Sequence, residues 1–287
     1  MPQDPSPTIR RRRLGAELRA AREVTGKTLE DAARVLDCHF TKISRLENGR
    51  SIVRRRDLDE LLDLYEVVDA RKRESLHALS RDGGKQGWWH TYEDVLSPPY
   101  ADFISLEAEA RWLHVFQGQL VPGLLQIPGY ARAVVAADPS WGSRQEVERF
   151  AEVRIARQAV LTRSEAPLQL WAVLGEGLLH QRVGGPAVMR EQLEHLSHAA
   201  AMPNVTVQVL PFSAGAHAGM QGAFSVLEFA ERSELTVVAI ENLTASLYLE
   251  APAEIDRHRL VFDHLRAAAL SPVESAARIA DVAREMT

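Results

Sequence analysis

Several groups of residues in this 287-residue chain have the types and spacing that chemistry requires. Ser213 and His217 set a nucleophile near a base. A working triad also needs a strained turn under the serine and a carboxylate behind the histidine, and the sequence offers neither. Glu191, Glu194, His195 and His198 crowd one predicted helix. Glu191, His195 and His198 share a face at i, i+4 and i+7, as metal ligands must. The polar face of an amphipathic helix carries the same letters, so no metal site is assigned. Gly215, Gly219 and Gly222 make a glycine-rich loop, but no Gly-Lys-Ser/Thr follows, which excludes a P-loop. Cys38 is the one cysteine, which rules out an internal disulfide framework and a cysteine-built zinc site. In a turn it reads as a small core side chain rather than a redox sensor. No catalytic residue and no cofactor is expected.

The remaining candidate chemistry is charge. Residues 10–56 hold 14 Lys and Arg against 6 Asp and Glu, a net of +8. The whole chain carries −5, so the rest carries −13. A basic module on an acidic body is what a protein needs when one module alone meets phosphate. A solvated basic face gives the same count. The run Arg10-Arg11-Arg12-Arg13 can contact a phosphate backbone, reach a minor groove, or simply open the first helix.

The elements that must position these charges are helices. Leu14, Leu18 and Ala21 recur on one helical face, and Gly26 ends that helix. Thr28 with Asp31 three residues on forms a capping box for a short helix over residues 29–36, with Ala33 small enough for a close crossing. Asp37-Cys38 makes a tight turn. A third helix runs from Phe40 to Leu46 or Glu47, with Ile43 and Leu46 inward and Asn48-Gly49 as its stop. A fourth covers residues 55–65, with Leu58, Leu61, Leu62 and Tyr65 inward. Two short helices joined by a tight turn inside a basic bundle form a helix-turn-helix, whose second helix enters a major groove.

Beyond this bundle the chain changes character. Residues 1–9 hold three prolines and few apolar residues, and read as a disordered tail. The bundle occupies residues 10–82. A connector follows over 83–103, and Trp88-Trp89 within it should dock rather than stay wet. Residues 104–285 form the larger domain. Helices are expected at 103–117, 130–137, 144–162, 186–201, 252–270 and 272–285. Ser271 is an N-cap before Pro272. Strands are expected at 168–174 and 205–210, with an antiparallel hairpin of 224–229 and 235–240. Trp112, Trp141 and Trp171 read as core. The fold class is α+β overall: an all-α N-terminal bundle and a mixed α/β C-terminal domain with a small sheet.

The stretch TLEDAARVLDCHFTKISRLENGR, above all Ile43-Ser44-Arg45-Leu46-Glu47-Asn48-Gly49, resembles the Cro/C1-type (XRE-family) helix-turn-helix. That resemblance implies roles. Phe40, Thr41 and Arg45 would face bases, with Arg45 donating twice to guanine and Phe40 or Thr41 touching a thymine methyl. Lys42, Ser44, Asn48 and Arg50 would lie near phosphate, fixing register. Arg22 and Glu47 match an internal salt bridge. Three positions depart from the pattern. Leu29 stands where a glutamine usually meets phosphate, Asp37 where a glycine usually turns, and His39 where a small N-cap is usual.

Further on, Leu120-Val121-Pro122-Gly123-Leu124-Leu125-Gln126 with Tyr130-Ala131-Arg132 is similar to the signature of the domain of unknown function 5753. The stretches 183–186, 189–193, 203–211 and 247–250 match it too. This domain follows XRE-type modules in actinobacterial regulators of development and antibiotic production. They are often encoded beside a small acidic partner protein, in a toxin–antitoxin-like layout. The expectation is a sequence-specific transcriptional regulator, a repressor. It would bind double-stranded DNA as a homodimer on a pseudo-palindromic operator and be modulated through its C-terminal domain by a small partner protein or ligand. The alternative is a C-terminal enzyme of unknown chemistry that the DNA module targets.

Composition fits. Hydrophobic residues are 46% and charged residues 25%, as in ordinary globular domains. No run approaches the ~18–20 apolar residues of a membrane span. No apolar segment follows the basic residues near the N-terminus, so no secretory signal is expected and the chain reads as cytoplasmic.

Overall fold

The structure, a computed structural model, describes residues 9–82, 87–229, 236–242 and 246–286. The expected tail through residue 8, connector residues 83–86 and the hairpin turn 230–235 lie outside the described residues, as do the side chains of Arg10 and Arg12. The described chain divides into two compact units that part at residues 90–91.

The first unit holds five helices: α1 (Ile9–Val24), α2 (Leu29–Val35), α3 (Phe40–Glu47), α4 (Arg55–Leu64) and α5 (Ala70–Asp82). Local signals set most of these ends. The Thr28 hydroxyl accepts from Asp31 N at 3.1 Å, while Thr28 N donates to the Asp31 carboxylate at 2.9 Å, which closes the capping box. Asp37 adopts φ 46°, so aspartate takes the left-handed turn conformation usually left to glycine. His39 caps α3 by accepting from Thr41 N. Leu14, Leu18, Ile43, Leu46, Leu58, Leu61, Leu62 and Tyr65 are all buried, one apolar stripe from each of α1, α3 and α4. Gly15 matters because α1 crosses the end of α3 there: a Cβ would lie 2.4 Å from the Glu47 carbonyl oxygen.

The second unit is α/β. In order it contains α6 (Pro98–Glu109), β1 (Trp112–Gln117), α7 (Pro128–Ala136), α8 (Arg144–Ala156), α9 (Ala159–Thr162), β2 (Gln169–Gly175), α10 (Pro186–Ala199), β3 (Val205–Leu210), β4 (Phe224–Glu228), β5 (Thr236–Glu241), β6 (Ser246–Leu249), α11 (Pro252–Ala268) and α12 (Pro272–Glu285). The strands form one mixed sheet in the order β3-β2-β1-β4-β5-β6. β1, β2 and β3 run parallel, and β4, β5 and β6 add antiparallel. On one face Phe116, Val173, Val226 and Val238 pack with Phe262 and Leu265 of α11. Ser271 caps α12 as expected, and Glu274 closes a capping box with it.

Three expectations need correction. Residues 103–117 are not one helix: α6 stops at Glu109 and β1 begins at Trp112, at the centre of the sheet. Residues 144–162 break at Arg157-Gln158 into α8 and α9, where the Arg157 guanidinium turns into the interior to pair with Glu107. The tryptophans are only partly in the core: Trp112 is exposed, while Trp141 and Trp171 are half-buried. Trp171 keeps its ring N–H on the Gln208 side-chain oxygen at 2.8 Å, under the Arg266 guanidinium. In the connector Trp89 is buried, with Trp88 edge-on to it.

Candidate nucleic-acid interface

The second helix of the helix-turn-helix has two faces with different work. Ile43, Leu46 and Glu47 face inward and are buried. Phe40, Thr41, Arg45, Asn48 and Arg50 are exposed. Thr41, Arg45 and Asn48 follow i, i+4, i+7 and therefore line one stripe. A short helix presenting such a stripe along its exposed side is shaped to enter a major groove.

What fixes that stripe is the buried face. The Arg22 guanidinium reaches Glu47 with two parallel hydrogen bonds, Nε to Oε1 at 2.6 Å and Nη2 to Oε2 at 2.9 Å. Arg22 Nη1 also donates to the Lys27 carbonyl at 3.0 Å. This fork ties α1 to the end of α3 and matches the pair expected from the sequence. Burial, reinforced by the Glu47 carboxylate, pushes the nearby Tyr65 hydroxyl well above its ordinary range, so it stays neutral.

Four of the candidate phosphate ligands stand in different states. Lys42 Nζ lies 2.7 Å from the Asp57 carboxylate on α4, which offsets its charge. Asn48 Nδ2 donates to the Ser44 carbonyl at 2.7 Å and approaches the Ser44 hydroxyl at 3.4 Å, so these two residues engage each other. Arg50 is exposed and has no carboxylate within ion-pairing distance among the described residues. Nothing in the sequence signalled the Lys42–Asp57 pair, whose members are fifteen positions apart.

Arg54 and Arg55 were not among the candidates. They lie at the N-terminal end of α4, both exposed and, among the described residues, without a carboxylate in reach. The signal for them was present in the Arg54-Arg55-Arg56 run. Arg56, by contrast, pairs with Glu60 one turn along. Phosphate favours a helix N-terminus, where backbone N–H groups and the helix dipole add to side-chain charge.

The other constellations do not assemble. Among the described residues no three His, Cys, Asp or Glu side chains gather as a metal site, Glu191, His195 and His198 included. Burial and the neighbouring His198 push His195 below its ordinary range. His217 Nδ1 is buried without a hydrogen-bond partner among the described residues, so no carboxylate there holds that nitrogen. Cys38 is a free, half-buried thiol in the turn before α3. No helix among the described residues is long and apolar enough to cross a membrane.

Comparison with known proteins agrees with this division. A model described as a helix-turn-helix domain matches residues 13–76, the kind of domain that binds DNA. A model described as a domain of unknown function, DUF5753, matches residues 100–281. No curated protein matches the chain. No solved structure matches it either. With more than half of its length in that second match, the chain belongs to the DUF5753 family, and it carries a helix-turn-helix domain ahead of it.

Proposed function

We propose that this protein is a sequence-specific transcriptional regulator, a repressor, that binds double-stranded DNA through α3. The observation that carries the reading is the split character of α3. Its Thr41–Arg45–Asn48 stripe is exposed, while the opposite face is locked by Ile43, Leu46 and the Arg22–Glu47 fork. In this reading Phe40, Thr41 and Arg45 meet base edges. Arg50, together with Arg54 and Arg55, meets phosphate, and Ser44 and Asn48 approach the backbone as a joined pair. Lys42 contributes by exchanging Asp57 for phosphate. That exchange sacrifices an existing ion pair, so Lys42 adds less affinity than Arg50.

One such module buries too little surface to be selective, so two act together on a pseudo-palindrome with half-sites one turn, ~34 Å, apart. The C-terminal domain supplies the homodimer contacts and receives the signal, from a small acidic partner protein or a ligand. It regulates rather than catalyses, and the protein works in the cytoplasm on the nucleoid. The test is selection of bound duplexes from a random pool. Recovery of an inverted repeat with half-site centres one turn apart supports the reading. Recovery of unrelated sequences, with binding that depends on salt alone, contradicts it.

A further inference from the structure

Residues 120–126 carry the family signature, yet they lie outside the helix-turn-helix. Their structure shows a loop held from several sides. Val121 N donates to the Tyr130 hydroxyl at 3.1 Å, and Gln126 Nε2 donates to the Val121 carbonyl at 2.8 Å. Gln192 of α10 accepts from Ile127 N at 2.8 Å and donates to the Leu125 carbonyl at 2.7 Å. Buried polar groups are thus matched one to one, which rigidifies the loop. A loop fixed this firmly encloses space: a cavity of about 110 Å³ lies between it, α8 and the β1 face of the sheet. Leu113, Val115, Leu124 and Leu170 supply apolar walls.

The polar lining is asymmetric. Arg157 is buried, and its charge is met by Glu107 through bonds of 2.8 and 2.7 Å, with the Tyr100 hydroxyl as a further partner. Arg154, one turn earlier on α8, also lines the cavity but has no carboxylate in reach among the described residues. Its Nη1 approaches the Gln126 side-chain oxygen at 3.4 Å, its guanidinium lies over the Phe150 ring, and its Nε is buried without a partner. A half-buried guanidinium beside apolar walls lacks the counter-charge that would offset its lost hydration. Its planar fork matches a carboxylate.

We infer that this cavity binds a small monocarboxylate with an apolar body. Arg154, oriented by Gln126, pairs with the carboxylate, and the body lies among Leu113, Val115 and Leu124. The volume is somewhat below the ~150 Å³ core cavity that admits benzene, which limits the ligand to about six non-hydrogen atoms. Glu241, exposed at the rim, opposes a second negative charge, so the ligand is a monoanion. The site is built from the C-terminal unit alone. Failure of DNA binding leaves it standing, and its failure leaves DNA binding standing.

The full chain is titrated with propionate, butyrate and isobutyrate, each against its own amide, by calorimetry and thermal denaturation at millimolar concentrations. At least one acid should bind saturably and raise Tm, while its amide does neither. Arg154→Gln should weaken the acid by about tenfold or more, the size of one lost charged hydrogen bond. Leu120→Trp, which adds bulk to the lining and leaves the Arg154 charge in place, should abolish binding in a protein that folds normally. The acid–amide contrast in the unaltered chain needs no variant. No binding of any acid overturns the inference, as does equal binding of acid and amide. Unchanged acid binding in folded Arg154→Gln or Leu120→Trp protein also overturns it.

Discussion

At the scale of single residues, most of α3 divides into side chains that pack into the helical unit and side chains that face outward. Arg45 belongs to the second kind, so Arg45→Ala should cost ~1–3 kcal/mol on a selected operator and much less on random duplex, measured by fluorescence anisotropy. Equal losses on both would make it a phosphate contact. Glu47 belongs to the first kind. Removing one member of a buried, forked pair leaves the other charge stranded, so Glu47→Ala should lower the stability of the helical unit by about 3 kcal/mol in urea unfolding. The double change Arg22→Met with Glu47→Leu should recover most of that loss, because no charge is then left unmatched. A double variant no more stable than the single one would show that the fork is worth more than its burial costs. The Arg22–Glu47 pair was visible in the sequence through family resemblance. The Lys42–Asp57 pair was not, since nothing local encodes an ion pair formed by tertiary contact.

At the scale of elements, the ends that were legible are those set by local chemistry. Thr28 with Asp31, Ser271 and Asn48-Gly49 each satisfy or release backbone groups within one turn, and each sits where the pattern places it. β1 was misread for a physical reason. It is the central strand, with Leu113 and Val115 buried on one face and Phe116 buried on the other. A strand covered on both sides loses its alternation and reads like a buried helix. β6 was not anticipated because it is a four-residue edge strand with mostly half-exposed residues. Two predictions follow from element packing. Asp37→Gly should stabilise the helical unit by up to about 1 kcal/mol, since the turn holds a left-handed φ; thermal denaturation reads this directly. On the sheet, His114 stacks against Phe262 of α11, and burial pushes its imidazole below the ordinary range. Glu228 and Asp263 favour its protonation, while Arg266 and Arg259 oppose it. The folded form therefore binds fewer protons than the unfolded one near that range. Stability is full above about pH 6.5 and falls as the pH drops below it. His114→Phe should flatten that acid loss in a pH series of unfolding curves. An unchanged acid limb would place its origin elsewhere.

At the scale of the whole molecule, charge and fold tell the same story of two modules with different tasks. The basic stretch spans the first three helices of the helix-turn-helix match, while α4 and the family domain are both acidic. Composition and periodicity made that division legible. They did not reveal the cavity beneath residues 120–126, because its walls come from α8, β1 and a loop that are distant in sequence and share no periodic pattern. If two modules act on one operator, light scattering without DNA should give a native mass about twice the 31.9 kDa of the chain. A monomer at micromolar concentration would remove the paired half-site. The most direct measurement of DNA-directed regulation is crosslinking and sequencing of bound chromosomal sites, with the unaltered protein and Arg45→Ala side by side. We expect a few sharp sites carrying an inverted repeat, lost in the variant while the protein persists. Diffuse occupancy that is the same in both proteins would contradict sequence-specific recognition through α3.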